Sequence, residues 1–234
     1  MQAVIENASI GLPLKFDRVL VIVGAGAVDE RLLRSLVDNG AAVIAADGGA
    51  DACARAGIMP EAIVGDMDSL ENLDDWAKNT RIVKFEEQST TDFEKCLYAT
   101  EAALTIALGM TGKRFDHTLA ALDSVARHAH KRHILLVDEK DLALGVCGKF
   151  SFAVDPGDRV SVHPLGRVKF KVSEGLLYPL DGITLAPGER TGTSNTATEG
   201  AFSIVPEDGE NAGWLLIVDR KYLSALTAQV LESK

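Results

Sequence analysis

Six short apolar runs, each ending at a turn, punctuate the first 137 residues: Arg18-Val-Leu-Val-Ile-Val23, Ala42-Val-Ile-Ala45, Ala62-Ile-Val64, Ile82-Val-Lys-Phe85, Thr105-Ile-Ala-Leu108 and Ile134-Leu-Leu-Val137. Runs this brief and this continuously apolar read as strands covered on both faces. Between the first two, Leu32, Leu33, Leu36 and Val37 recur at helical spacing from Asp29 until Asn39-Gly40, a C-terminal stop. Further helices are expected around Ala50 to Ala56, from near Thr91, and from Phe115. Strands that alternate with helices require crossover connections. The fold class is therefore α/β, with a mostly parallel sheet and flanking helices.

After about Lys140 the rhythm changes. Phe150 to Val154, Arg159 to His163, Val168 to Val172, Gly200 to Val205 and Trp214 to Val218 are apolar segments separated by Asp155-Pro-Gly, Pro164-Leu-Gly, Pro187-Gly and Asp208-Gly. That punctuation predicts a small antiparallel β-sandwich or barrel-like domain. The expected division is an α/β domain over 1–140 and an all-β domain over 141–234, and 234 residues suit one large domain or two modest ones.

Composition excludes some function classes. With 34 Asp+Glu against 24 Lys+Arg and a net charge of −10, binding to nucleic acid through charge alone is not expected. No apolar run reaches the roughly 18–20 residues of a membrane span. Met1 to Leu14 carries Glu6 and no early basic cluster, unlike a signal peptide. Cys53, Cys96 and Cys147 are widely spaced and form no CxxC pair, so a reduced, cytoplasmic protein is expected. The acidic excess is local: eleven carboxylates and four cations between Asp47 and Asp92 contribute −7 of the −10.

Four polar loops follow successive strands. Asp47-Gly48-Gly49 follows the second, where ligands of open α/β sheets bind and glycine lets a phosphate or ribose approach. Gly65-Asp66-Met67-Asp68-Ser69 follows the third. In extended backbone Asp66 and Asp68 point the same way, and two adjacent like charges call for a cation that prefers oxygen. Thr91-Asp92-Phe93-Glu94 fits a capping box, which puts Asp92 in a first helical turn. Gly109-Met-Thr-Gly112-Lys113-Arg114-Phe115-Asp116-His117-Thr118 joins cations to backbone N–H groups at a helix start, an anion site in which Asp116 could orient Arg114 or cap the helix. Gly24-Ala-Gly26 invites a dinucleotide reading, but position 29 is Asp where the third glycine belongs, so a turn that lets backbone pass is the better role. Carboxylates for a metal beside cations for phosphates point to phosphoryl or pyrophosphoryl chemistry without a P-loop.

In their order and spacing, Asp47-Gly-Gly, Gly65-Asp-x-Asp-Ser69, Thr91-Asp-Phe-Glu-Lys95, Gly112-x-Arg-Phe-Asp-His-Thr118 and Thr193-Ser-Asn195 resemble the thiamine pyrophosphokinase family, from about Val19 to Val218. The resemblance implies transfer of the pyrophosphate of ATP to the hydroxyl of thiamine, giving thiamine diphosphate and AMP. It implies Mg²⁺ on Asp66, Asp68 and Asp92, with Lys95 and Arg114 completing the catalytic set. Asp47, Gly48, Gly49, Ser69, Gln88, Thr91, Gly112, Asp116 and His117 would then line ATP, and Ser194 and Asn195 would face thiamine from the loop after Gly192. A homodimer is implied, its thiamine pocket between the first domain of one chain and the β domain of the other. The chain departs from the common family pattern at Ser89, Lys113 and Thr196. Competing readings are an ATP-dependent kinase for another small alcohol and a nucleotide or thiamine-diphosphate sensor without turnover.

Overall fold

The computed structural model describes residues 5–7, 12–70, 72–207 and 213–232. The Asp208-Gly turn lies outside these residues, as do Glu71 and most of the Met1 to Leu14 segment. The chain divides into two compact units, one drawn from Met1–Ser124 and Leu136–Glu139, the other from Val125–Leu135 and Lys140–Lys234. Among the described residues, no helix is long and apolar enough to cross a membrane.

The first unit runs β1 (Ile5–Asn7), β2 (Leu14–Phe16), β3 (Leu20–Val23), α1 (Glu30–Asp38), β4 (Ala42–Ala46), α2 (Ala50–Ala56), β5 (Ala62–Gly65), α3 (Leu73–Trp76), β6 (Arg81–Lys84), α4 (Asp92–Ala99), β7 (Thr100–Ala102) and β8 (Leu104–Leu108), into α5 (Phe115–His128). Six strands lie side by side in the order β1-β6-β5-β4-β3-β8, and every described pairing among them is parallel. Each expected strand and helix of this region is present, within a residue or two of its anticipated ends. The reason is local. Leu20, Val21, Ile22 and Val23 are all fully buried, so no polar face is required of that strand. Asp29 caps α1 by accepting from the N–H groups of Arg31 and Leu32. The strands β1, β2 and β7, three residues each, were not anticipated, because so short a segment carries no readable period.

Strand order decides where a ligand can sit. From β3 the chain steps outward through β4, β5 and β6, then returns to place β8 on the other side of β3. Connections leaving β3 and β8 therefore diverge, and a crevice opens at the carboxyl ends of these strands.

The second unit contains β10 (Asp141–Cys147), β11 (Phe150–Ala153), β12 (Arg159–Pro164), β13 (Val168–Glu174), β14 (Thr184–Leu185), β15 (Gly192–Thr196), β16 (Ala201–Pro206), β17 (Gly213–Asp219) and α6 (Leu223–Glu232); β9 (His133–Val137) falls where the units divide. Antiparallel strands are ordered β10-β17-β12-β15 and β11-β16-β13-β14. Trp214 of β17 and Phe170 of β13, both buried, meet edge to face at 5.9 Å and join the two sets. The expectation of a purely β region needs one correction. The chain ends in α6, whose buried Leu223, Leu226 and Val230 recur at helical spacing beyond the last run considered. Strand β10 also escaped notice: Gly145 breaks its apolar pattern, though not the strand, because a Cβ there would lie 2.7 Å from Val125 Cγ1 of α5.

Candidate active site

A cleft of about 290 Å³ lies in the first unit, walled by the connections after β3, β4, β5 and β8 and by the start of α4 and α5. Its floor depends on backbone touching backbone. Gly24 N–H donates to Leu108 O and Gly26 N–H to Gly109 O, both at 2.8 Å. A Cβ on Gly26 would sit 2.4 Å from the carbonyl oxygens of Gly109 and Thr111. The expected role of Gly24-Ala-Gly26 as a turn permitting close passage therefore holds, and the turn also lines the cleft.

Three carboxylates converge beside the cleft, and two of them, Asp47 and Asp92, line it. Ligand oxygens of Asp47, Asp66 and Asp92 all lie within 4.8 Å of one another. Asp47 follows β4 with φ +40°, Asp66 follows β5, and Asp92 opens α4 after its cap, where Thr91 Oγ1 accepts from Glu94 N–H at 3.4 Å. Gly65 makes the convergence possible: a Cβ there would stand 2.8 Å from Asp47 Cβ and 3.0 Å from Asp92 Oδ1. Asp68, expected beside Asp66, is not in the group. Met67 adopts φ +68°, which breaks the alternation of extended backbone. Asp68 is consequently exposed, and it is its N–H that meets Asp66, at 3.1 Å. Asp47 occupies the place expected of Asp68.

The charges of the trio are only partly balanced. Lys95, 1% exposed, donates to Asp92 at 3.0 Å and Asp66 at 3.4 Å. Its ammonium thus serves the carboxylates from below. Burial opposes its charged form, yet the bonds and charges of Asp92 and Asp66 raise its pKa. For Asp66, burial is outweighed by hydrogen bonds from Asp68 N–H and Gln88 and by the Lys95 charge, so its pKa is lowered. Asp47 goes the other way: burial, aided by the charges of Asp92 and Asp66, raises its pKa against the Ser69 N–H bond at 3.0 Å. Its other oxygen is buried with no partner among the described residues. Three carboxylates against one ammonium leave two negative charges when all are ionised. An all-oxygen set with that deficit and one unpaired buried oxygen fits a hard divalent cation such as Mg²⁺.

Basic side chains line the same cleft. Lys113, Arg114 and His117 line the cleft with Thr111 and the apolar Met110, Phe93 and Ala121. Asp116, in the first turn of α5, takes Arg114 in a two-pronged pair, at 3.1 and 2.5 Å, and accepts from His117 N–H at 3.0 Å, so it orients the arginine. Lys113 donates to Ala25 O at 2.9 Å across the cleft.

Of the residues singled out from the sequence, Asp47, Gly48, Ser69, Thr91, Asp92, Arg114 and His117 line this cleft. Gly49 does not; its Cα is pressed onto β3, and a Cβ would lie 1.9 Å from Val23 O. Gly112 packs on Ala27, and Gln88 bonds to Asp66 of the trio beside the cleft. Ser194 and Asn195 belong to the second unit, on strand β15 instead of a loop. Asn195 is 4% exposed and its amide holds the backbone of Tyr178 from both sides, at 3.0 and 2.7 Å. Ser194, with φ +61° at a bulge between β12 and β15, is exposed. Lys113, expected as a cation of the anion site, lines the cleft, while Ala25, Met110 and Thr111 were not anticipated individually; their signal was their place just after a buried strand.

Residues 33–136 match the family model described as thiamin pyrophosphokinase, catalytic domain. Thiamin pyrophosphokinase 1 of Caenorhabditis elegans is 29% identical over 154 residues, covering 59% of this chain and 63% of that protein. Thiamine pyrophosphokinase 1 of Arabidopsis thaliana is 27% identical over 183 residues, covering 70% and 68%. The chain thus spans just under two thirds of the worm protein's length. A crystal structure of thiamin pyrophosphokinase from Geobacillus thermodenitrificans superposes with a TM-score of 0.70 at 22% identity, over 86% of this chain and 97% of that one, which establishes a shared α/β fold. Residues 33–136, which hold four of the five motifs, are thus similar to the catalytic domain of thiamin pyrophosphokinases.

Proposed function

We propose that this protein transfers the pyrophosphate of ATP to the hydroxyl of thiamine, releasing thiamine diphosphate and AMP. The observation that carries the reading is the cleft itself, lined by Asp47 and Asp92 of a carboxylate trio two charges short of balance and also by Lys113, Arg114 and His117. In the reaction, the hydroxyl oxygen of thiamine bonds to the β-phosphorus while the bond from that phosphorus to the α-bridging oxygen breaks. AMP takes the electron pair and the hydroxyl proton is released. Such transfers depend on positioning and charge neutralisation more than on covalent participation of the protein.

Asp47, Asp66 and Asp92 would hold Mg²⁺, which when bound supplies positive charge to phosphate oxygens. Lys95 keeps Asp66 and Asp92 in place, and Gln88 does the same for Asp66. Lys113 and Arg114 offer their charge to the polyphosphate, with Asp116 fixing the angle of Arg114. Met110, Phe93 and Ala121 give the nucleoside an apolar wall. Exposed Ser194 is our candidate for contact with thiamine, Asn195 acting through the Tyr178 backbone it holds. We further propose a homodimer that brings the β region of one chain to the cleft of the other, which sedimentation of the purified chain tests.

The functional test is incubation with ATP, Mg²⁺ and thiamine, following AMP and thiamine diphosphate together by chromatography. Equal accumulation of both is expected. ADP with thiamine monophosphate would move the attacked atom to the γ-phosphorus, and no product would turn the reading toward another alcohol or a sensor.

A further inference from the structure

Glu87 touches neither the cleft lining nor the carboxylate trio, yet the connection between β6 and α4 is wound around it. Its Oε2 accepts from Ser89 N–H at 2.8 Å, Ser89 Oγ at 2.6 Å and Thr90 N–H at 3.2 Å. Its Oε1 accepts from Thr90 Oγ1 and, at 2.7 Å, from the hydroxyl of Tyr98 on α4. Tyr98 in turn lies edge-on to Phe85 at 5.1 Å, and Phe85 N–H is tied to Gly65 O at 2.8 Å. One side chain thus binds two consecutive residues of the connection to the helix that the connection enters and to the strand end it leaves. Donors from Ser89, Thr90 and Tyr98 hold the Glu87 carboxyl down at about 2, so it stays an acceptor at any working pH.

What this turn delivers are the groups that shape the trio. Gln88, next in sequence, donates to Asp66 Oδ2 at 3.1 Å, and Asp92 follows the Thr91 cap at the end of the same connection. We infer that Glu87 is a positioning residue for the carboxylate trio, acting through the turn 88–91 to set Gln88 against Asp66 and Asp92 beside Asp47. The inference rests on reading the trio as a divalent-cation site. Partners one shell out from metal ligands typically change affinity about 10–100-fold when altered.

The test is direct titration of the full-length chain with Mn²⁺, followed by electron paramagnetic resonance, alongside thermal unfolding. Glu87→Gln is expected to weaken Mn²⁺ binding by about tenfold with a melting temperature within a few degrees of the parent, and Tyr98→Phe by roughly two- to threefold. Unchanged Mn²⁺ affinity in Glu87→Gln, with or without a drop in melting temperature, overturns the inference, as does a parent protein that binds no Mn²⁺. Should Glu87→Gln fail to fold, Tyr98→Phe and Ser89→Ala carry the test, each removing one hydroxyl donor; parental affinity in both would overturn it. Because Mn²⁺ binding needs neither ATP nor thiamine, loss of affinity in a chain that forms no thiamine diphosphate would sink the proposed function and leave this inference standing.

Discussion

The two units treat their polar side chains differently. In the second, polar groups close on each other: Tyr222 donates to Asp158 at 2.5 Å and accepts from Asp155 N–H at 2.7 Å, Lys221 bridges Asp155 and Asp158, and Asn195 is fully engaged with Tyr178. In the first, Asp47, Asp66 and Asp92 crowd together with one lysine bonded to two of them and a buried oxygen that has no partner among the described residues. Closed networks secure a fold; crowded like charges store repulsion that a bound cation or a proton relieves. Chemistry is therefore to be sought where like charges crowd, as in the trio, while the networks around Tyr222 and Asn195 hold surfaces of the second unit still.

The contrast can be broken at its foundation with adjacent glycines. Gly49→Ala forces a methyl to 1.9 Å from Val23 O and should cost about 3 kcal/mol or more, leaving little folded protein by circular dichroism. Gly48→Ala meets nothing nearer than 3.5 Å and should stay within about 1 kcal/mol of the parent, its effect appearing in the KM for ATP.

Asp47→Asn sharpens the comparison, since it removes a charge from the open network. Mn²⁺ affinity should fall by at least about 100-fold. Without metal, the same variant should melt about 2–4 °C higher than the parent, because burial and two like charges no longer act on it. A lower melting temperature would mean that the trio is not under strain.

Asn195→Ala opens the closed network of the second unit. Both backbone groups of Tyr178 lose their partner, and denaturant unfolding should register a loss of about 2 kcal/mol.

The smallest effect concerns acid. Glu87 ordinarily titrates near 4.5 and in the fold near 2. A lowered folded pKa contributes stability that is present above the unfolded value and lost as pH falls toward the folded one. Between about pH 4.5 and 2 the parent should therefore lose stability more steeply than Glu87→Gln, as acid titration by fluorescence would reveal.

Much of the first unit was legible because its signals are short-range. Strands such as Leu20–Val23 are apolar throughout, and Asp29 and Thr91 announce the helices they cap within four residues. The second unit was less legible: the apolar pattern of β10 is broken by a glycine that exists for a helix elsewhere in the chain, and β15 reads as loop because its polar residues Thr193, Ser194 and Asn195 lie at an edge with a bulge.

Local pattern thus determined the α/β alternation, the antiparallel region after it, and the polar loops at the carboxyl ends of strands, since hydrophobic period and capping act over a few residues. Which side chains of those loops meet was decided by tertiary structure. Met67 turning to φ +68° sends Asp68 outward, while β4 and β5, paired side by side, bring Asp47 up to Asp66. Lys95 became the trio's counter-charge because α4 buries it, and Asn195 became a strut because β15 lies against the Tyr178 segment. Spacing along a chain specifies which residues share a loop. Only the packing of one strand on the next specifies which of them share a charge.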